Sequence, residues 1–470
     1  MWIPSLVILR KAVPVTTSSQ ATEHAGQPGG PAGLLARLGE LPDPRGRRGR
    51  QHSYASILAV AACATAAVGD DSLTAIGEWS RRADQDSLAA LGVRRDPFTG
   101  RHVPPSEPTI RRALTGLGVE RLESAVGGYL RDRAPAPPRP AEPPPPEPPE
   151  PSERSERSEP PPARPAPPPA PRAAGPGTPD RPLEREQRRK LRRDESDPPP
   201  AGLAPGLAID GKRLAGARLK DGGRVQPLSA TTTHDGPALV LAQRRISDKT
   251  NEIPELKNLI KDMDLEGWAL TTDALHTQRK TARLIVEDCH AHYIMFIKNN
   301  QRRLLAAAMK ALAGTDDEFA ATTHTDDGKD HGRTERRRVR TAPAEGTTFP
   351  HAAQFFRVLR RSGGVYTSKE VAYGVTSLTP EQAGPAALNA HTRNHWTCEN
   401  KTHYVRDVTF NEDKSQVRTG SAPQALAALR NLVIGVFRLA GYANMAFARR
   451  ECGADKNLIL RLFNLLPNTT

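Results

Sequence analysis

Leu207-Ala208-Ile209-Asp210-Gly211-Lys212 is the stretch on which the reading of this chain turns. Three apolar residues make a short buried strand, and an aspartate stands where the strand ends. Trp268 to Thr272 repeats the arrangement and runs into Asp273. A carboxylate at the end of a sheet strand is held rigidly and presented at one edge. Two of them on neighbouring strands can share divalent cations, because Mg²⁺ takes hard oxygen ligands and keeps positions open for water and phosphate. Two ions about 3.5–4 Å apart can serve the attacking and the leaving oxygen of a phosphodiester. Asp-Gly after a strand also suits an ordinary turn, so the pair needs its surroundings to be read.

Those surroundings alternate. Val225 to Thr232 and Ala238 to Ile246 read as strands, the first preceded by a Gly222-Gly223 turn and the two separated by Asp235-Gly236-Pro237. Asn251 to Ile260 and Thr277 to Asp288 read as helices, and Tyr293 to Ile297 as a further strand. The pattern predicts an α/β fold, a mixed sheet with helices on its faces. Residues 302–390 are less regular, with a polar loop at Thr323 to Asp330 and strand candidates at Arg338 to Thr341 and Val371 to Leu378. From about Ala387 the chain reads as helical, and a long helix pattern runs from Pro423 to Ala448.

The N-terminal side is different in kind. Residues 1–30 are Ser/Gly/Thr/Pro-rich and read as flexible. Residues 31–133 read as a small all-α domain. Tyr54 to Val68 is apolar nearly all round, as a buried helix would be. Ser72 can cap a second helix carrying Leu73, Ile76 and Trp79, and Ser106 or Thr109 can open a third with Ile110, Leu114 and Leu117. Between Ala134 and Pro200 lie 25 of the chain's 45 prolines. With its Ser-Glu-Arg repeats, this Pro/Glu/Arg segment lacks the apolar area to offset its ordering entropy and reads as a disordered linker, with a short charged helix available at Glu184 to Arg193. The expected organisation is therefore flexible 1–30, helical 31–133, linker 134–200, an α/β domain 201–450 with a less regular stretch at about 302–390, and a tail 451–470.

The chain carries a formal charge of +14, and about +10 of it falls in 201–470. A basic folded domain points to a polyanion, most often nucleic acid. An arginine-rich coding bias would leave the same mark. Cys63, Cys289, Cys398 and Cys452 form no CxxC pair, which argues against a zinc knuckle and a disulfide scaffold; a cytoplasmic setting is expected, nucleoid-associated when bound to DNA. The apolar start precedes its charges instead of following them, unlike a signal peptide, and Leu432 to Ala448 falls short of a membrane span.

Several words occur in a fixed order: Ala208-Ile209-Asp210-Gly211-Lys212, Lys249-Thr250-Asn251-Glu252-Ile253-Pro254, Thr272-Asp273-Ala274-Leu275-His276-Thr277-Gln278, Lys298-Asn299-Asn300-Gln301, His395-Trp396-Thr397-Cys398-Glu399-Asn400 and Asp407-Val408-Thr409-Phe410-Asn411-Glu412-Asp413. Together they resemble the DDE transposases of bacterial insertion sequences, in the ISAs-type branch with the H-repeat-associated proteins. The resemblance covers about 201–440. Leu41 to Gly46, Ala75 to Trp79 and Pro105 to Arg112 extend it more weakly into the helical domain. It implies that 201–450 is a catalytic domain with an insertion at about 302–390, built on an RNase H-like core whose three carboxylates fall on Asp210, Asp273 and Glu399, holding two Mg²⁺ (or Mn²⁺) ions. It also implies double-stranded DNA as partner, at element ends and target, and a homo-oligomer that pairs two ends. No membrane partner is expected.

Lys212, Lys298 and Arg393 are candidate phosphate contacts, and Arg45, Arg47, Arg48 and Arg50 are candidates on the helical domain. His276 and His395 flank two of the carboxylates, and either could contact DNA or stay structural. Asn251 and Glu252 suit a helix start near the site, capping or catalytic. Trp396 reads as core, and Cys398 lacks an evident base. Asp407, Glu412 and Asp413 read as a structural acidic group. Ala215 stands where the family usually has Arg, Arg406 where it has an apolar residue, and the long linker is unusual. Three readings remain open: a transposase that cleaves and joins DNA, a decayed or repurposed non-catalytic DNA-binding protein of the same family, and a nuclease without strand transfer.

Overall fold

The computed structural model describes residues 33–48, 50–67, 72–136, 202–214, 225–233, 236–246, 252–330, 333–362 and 368–466. The readings placed on residues 1–30, on most of the linker with its Glu184 to Arg193 helix, on Gly222-Gly223 and on Ala215 lie outside them.

Among the described residues, six helices precede the linker: α1 (Leu34–Gly39), α2 (Tyr54–Ala66), α3 (Leu73–Arg82), α4 (Gln85–Ala90), α5 (Glu107–Thr115) and α6 (Val119–Arg131). Helix α2 is buried on every side except at Ala55, which is why its sequence has no polar face. Ser53, Ser72 and Asp84 cap α2, α3 and α4 by accepting backbone N–H bonds from Ser56, Ala75 and Ser87. Ser106 stands at the N-cap of α5, which ends before Leu117.

Among the described residues that follow the linker, nine strands form one sheet in the order β3-β2-β1-β4-β5-β9-β8-β7-β6. Strands β1 (Gly206–Gly211), β2 (Gln226–Thr232) and β3 (Val240–Ile246) form an antiparallel meander. Helix α7 (Glu252–Ile260) leads to β4 (Ala269–Thr272), which pairs parallel with β1. Helix α8 (Arg279–Arg283), continued by a π turn at Leu284–Asp288, leads to β5 (His292–Ile297), parallel to β4. The mixed sheet expected from the alternation is present, with the strands near their expected positions.

The segment 302–390 corrects its irregular reading. After α9 (Arg302–Ala311), the antiparallel strands β6 (Thr323–Asp330), β7 (Arg333–Pro343), β8 (Gln354–Ser362) and β9 (Ser368–Thr376) continue the same sheet beyond β5. The polar stretch Thr323–Asp330 is thus an edge strand and not a loop. Its polarity is edge chemistry: Asp327 forms two hydrogen bonds with Arg336 on β7, and Asp326 meets Arg393 and Asn389. Charge on an edge strand blocks pairing with a second sheet.

Helix α10 (Pro385–Thr397) lies against β1, β4 and β7 and passes into π-type turns at Cys398–His403 and Val405–Thr409. The long C-terminal helix is two helices. Helix α11 (Ala422–Leu439) stops near Gly441, whose φ of +83° suits glycine, and Asn444 caps a separate α12 (Met445–Ala454). Helix α13 (Lys456–Leu462) follows and reaches α2 and α4.

One apolar core runs through the helices of the N-terminal side, the sheet and α11–α13. Helix α11 packs on α2 and α6, and α6 packs on β3. The α6–β3 approach depends on Gly127, where a Cβ would stand 2.2 Å from the Leu241 carbonyl oxygen. Glu123, buried in the same seam, accepts hydrogen bonds from the Nε2 atoms of Gln243 on β3 and Gln424 on α11. Among the described residues, no helix is long and apolar enough to cross a membrane.

Candidate active site

The register brings the two aspartates together. Ile209 on β1 lies opposite Thr272 on the parallel β4, so Asp210 and Asp273, one residue further along each strand, are neighbours at the same sheet edge. Asp210 accepts the Gly211 N–H at 2.9 Å, and Asp273 caps a 3-10 turn by accepting the Leu275 N–H at 3.0 Å. Asp273 is exposed, Asp210 half-buried. Burial pushes the Asp210 carboxyl up to about 6 against the Gly211 N–H bond, and the charges of Glu252, Asp273 and Glu399 push in the same direction as burial. Glu399 is exposed in the π turn after α10, and its charge acts on Asp210. Such turns widen a helix locally and recur at functional sites.

Two residues that the sequence left undecided or unmentioned stand in the same place. Glu252, in the first turn of α7, accepts a bond from Gln226 Nε2 at 2.7 Å and lies 3.2 Å from His276 Nε2. His403 Nδ1 is 3.4 Å from Asp210 Oδ2, and its Nε2 is 3.8 Å from Cys398 Sγ. Glu252, Asp273 and His276 present possible ligand atoms within 4.8 Å of one another, as do Asp210, Cys398 and His403. Glu252 was legible as a helix start. His403 carried no sequence signal, because only the π turn brings it back to β1.

The other candidates are distributed unevenly. Lys212 is buried, with Nζ 2.6 Å from Asp407 Oδ2. Arg393 is exposed and binds Asp326 at 2.6 Å. His276 is buried; His395 bonds Thr271 Oγ1 at 2.9 Å, and burial pushes its imidazole down to about 4. A cavity of about 940 Å³ opens beside Asp273, lined by Lys298, Arg337, Arg360, Tyr373, His395 and Trp396. Trp396, expected in the core, is 39% exposed there, under the Arg360 guanidinium at 4.7 Å from its ring centre. Burial pushes the Cys398 thiol up to about 12, which keeps it from acting as a thiolate nucleophile near neutral pH. Arg406 is fully buried and shares Glu412 with Arg430, at 2.7 and 2.9 Å, so its charge is absorbed inside the fold.

Arg45, Arg47, Arg48 and Arg50 stand apart from the carboxylates, in the loop between α1 and α2. Arg45 is tied to Asp43 through Nε and Nη2. Arg50 bonds the Gly46 and Asp43 carbonyls, and Arg47 is exposed. Arg45, Arg48 and Arg50 line a second cavity, of about 650 Å³, with His52 and Arg112.

The family model described as Transposase DDE domain matches residues 202–435, and the one described as DDE_Tnp_1-associated matches residues 35–130. This chain belongs to the DDE transposase family. Both matches fall where the ordered words were found. The H repeat-associated putative transposase YhhI and the putative protein YbfL, both of Escherichia coli K12, are each 30% identical over 250 residues, covering 49% of this chain and 63% of theirs. The putative transposase YncI of Escherichia coli O157:H7 is 28% identical over 246 residues, covering 49% of this chain and 61% of its own. The chain thus spans somewhat under two thirds of the curated relatives it matches. Among solved structures, a piggyBac transposase synaptic complex with hairpin DNA aligns at TM-score 0.31 and 11% identity, over 58% of this chain and 59% of that one.

Proposed function

We propose that this DDE-family chain is a DNA transposase that cleaves DNA at the ends of its own element and joins the released 3′-hydroxyl to target DNA. The observation that carries the reading is the pairing of Asp210 and Asp273 on adjacent parallel strands, with Glu399 within electrostatic reach. The strand order β3-β2-β1-β4-β5, with β1, β4 and β5 parallel, supports an RNase H-like core, to which β6–β9 would be an addition.

The donor set fits divalent metal. The carboxylates are hard oxygen ligands gathered at one strand edge, and Asp210 is made reluctant to ionise by burial and by its acidic neighbours, which is the condition a cation relieves. Asp210, Asp273 and Glu399 would hold the ions, Mg²⁺ by preference and two by analogy with phosphodiester chemistry. When bound, they supply charge for the attacking and leaving oxygens.

The protein's own contribution is placement. Strands β1 and β4 fix two carboxylates, and the π turn after α10 would bring the third to the ions. The cavity beside Asp273 offers Lys298 and Arg360 to the phosphates of a strand end. The arginine loop Arg45 to Arg50 would hold element ends by phosphate contacts, which position without reading sequence. Pairing of two ends calls for at least two copies of the chain.

The test is a joining assay: a labelled duplex carrying the element's end, a supercoiled plasmid and Mg²⁺. A labelled plasmid product is expected. Nicking without joining would reduce the activity to that of a nuclease. Salt-sensitive binding with neither product, Mn²⁺ included, would leave a non-catalytic DNA-binding protein.

A further inference from the structure

We infer that Glu252, in the first turn of α7, is a fourth carboxylate ligand of the divalent cations; the inference rests on the metal-dependent reading above. A glutamate in the first turn of a helix ordinarily answers the helix dipole or the free backbone N–H groups. The side chain of Glu252 is engaged elsewhere. Its Oε1 accepts from Gln226 Nε2 on β2 at 2.7 Å, and its Oε2 lies 3.2 Å from His276 Nε2 just past β4. These contacts aim the carboxylate across the edge at which Asp210 and Asp273 end.

Three further observations support a ligand role. Glu252 presents a ligand atom within 4.8 Å of those of Asp273 and His276. The backbone of β1 is cleared for it: a Cβ at position 211 would stand 2.5 Å from Glu252 Oε1, so the glycine after Asp210 leaves room for this carboxylate. The charge is also unbalanced. The charges of Glu252, Asp273 and Glu399 all act on Asp210, while Lys212, the basic residue next to it in the chain, is taken up by Asp407. Three acidic charges acting on a half-buried fourth favour a bound cation.

The test is Mn²⁺ binding by the full chain, read from the electron paramagnetic resonance signal of free Mn²⁺, for wild type, Glu252→Gln and Asp273→Asn. The glutamine keeps an oxygen for Gln226 but loses the charge and the acceptor facing His276, so its melting temperature in EDTA is compared with wild type to check that it folds. The expected result is Mn²⁺ bound at least tenfold more weakly, or with fewer ions per chain, by Glu252→Gln. Wild-type binding by Glu252→Gln alongside loss in Asp273→Asn overturns the role of Glu252 and leaves the three-carboxylate reading standing. No Mn²⁺ bound by wild type overturns both. Should Glu252→Gln fail to fold, Glu252→Asp replaces it, since it keeps the charge and withdraws it by one methylene, with the same two results deciding.

Discussion

Replacing Glu123 by glutamine should make the fold more stable in mildly alkaline solution and change it much less in acid. Glu123 is buried where α6 meets β3 and α11. Its Oε1 accepts bonds from Gln243 and Gln424 at 2.6 and 2.8 Å, and its Oε2 has no protein partner. Burial pushes its carboxyl up to about 7 from an ordinary 4.5, against the pull of the two amide donors. A carboxyl whose folded value lies above its unfolded value keeps its proton in the folded chain while the unfolded chain loses it. Stability therefore falls as pH rises from about 4.5 to about 7 and stays level above, and at 1.36 kcal/mol per unit the loss is about 3 kcal/mol. Glutamine keeps the accepting oxygen and cannot ionise. Its amide N–H groups, left in place of Oε2, cost about 1 kcal/mol at every pH. Urea unfolding at pH 5 and pH 8 separates the two effects, because the constant cost cancels in the difference. The variant should gain roughly 2–3 kcal/mol on wild type between the two values. A gain unchanged with pH, or one that shrinks as pH rises, would refute the reasoning.

Other expectations concern different parts of the fold. Glu412→Gln strands Arg406 and Arg430 in the interior and should cost about 3–5 kcal/mol in thermal unfolding; a loss below 1 kcal/mol would mean the cluster is solvated. Gly127→Val drives side-chain atoms into the Leu241 carbonyl and should destabilise by about 1–3 kcal/mol or more, with α6 lifting from β3 and its amides exchanging faster. His391 is held neutral, burial pushing it down to about 4. The stability this represents is complete above about 6.5 and drains away as pH falls toward 4, so His391→Asn should flatten the acid limb of the stability profile.

The sequence was most legible where local chemistry decides structure. The apolar runs before Asp210 and Asp273 gave strands β1 and β4, and Ser72 gave the cap of α3. The match of ordered words fell on the regions that the family models also cover. Legibility failed where distant partners neutralise charge. Strand β6 reads as a polar loop because Asp326 and Asp327 find their counter-charges on α10 and β7, tens of residues or a hairpin away. Arg406 reads as a misfit because Glu412 and the α11 residue Arg430 are invisible as a cluster until the chain folds. The site shows the same division. Asp210, Asp273 and Glu399 could be put forward as candidates from their words, whereas the nearness of His403 to Asp210 depends on a π turn that no periodicity announces. Trp396 sits among apolar and helical residues, yet the cavity beside Asp273 leaves it open.

The most direct measurement of the central claim is Mg²⁺-dependent nicking of a labelled duplex carrying the element's own end, wild type against Asp273→Asn. The account predicts cleavage by wild type that EDTA abolishes, and loss of cleavage in a variant that still binds the duplex and melts as wild type does. Equal cleavage by both proteins would contradict it. So would tight, salt-sensitive binding with no cleavage by wild type in Mg²⁺ or Mn²⁺.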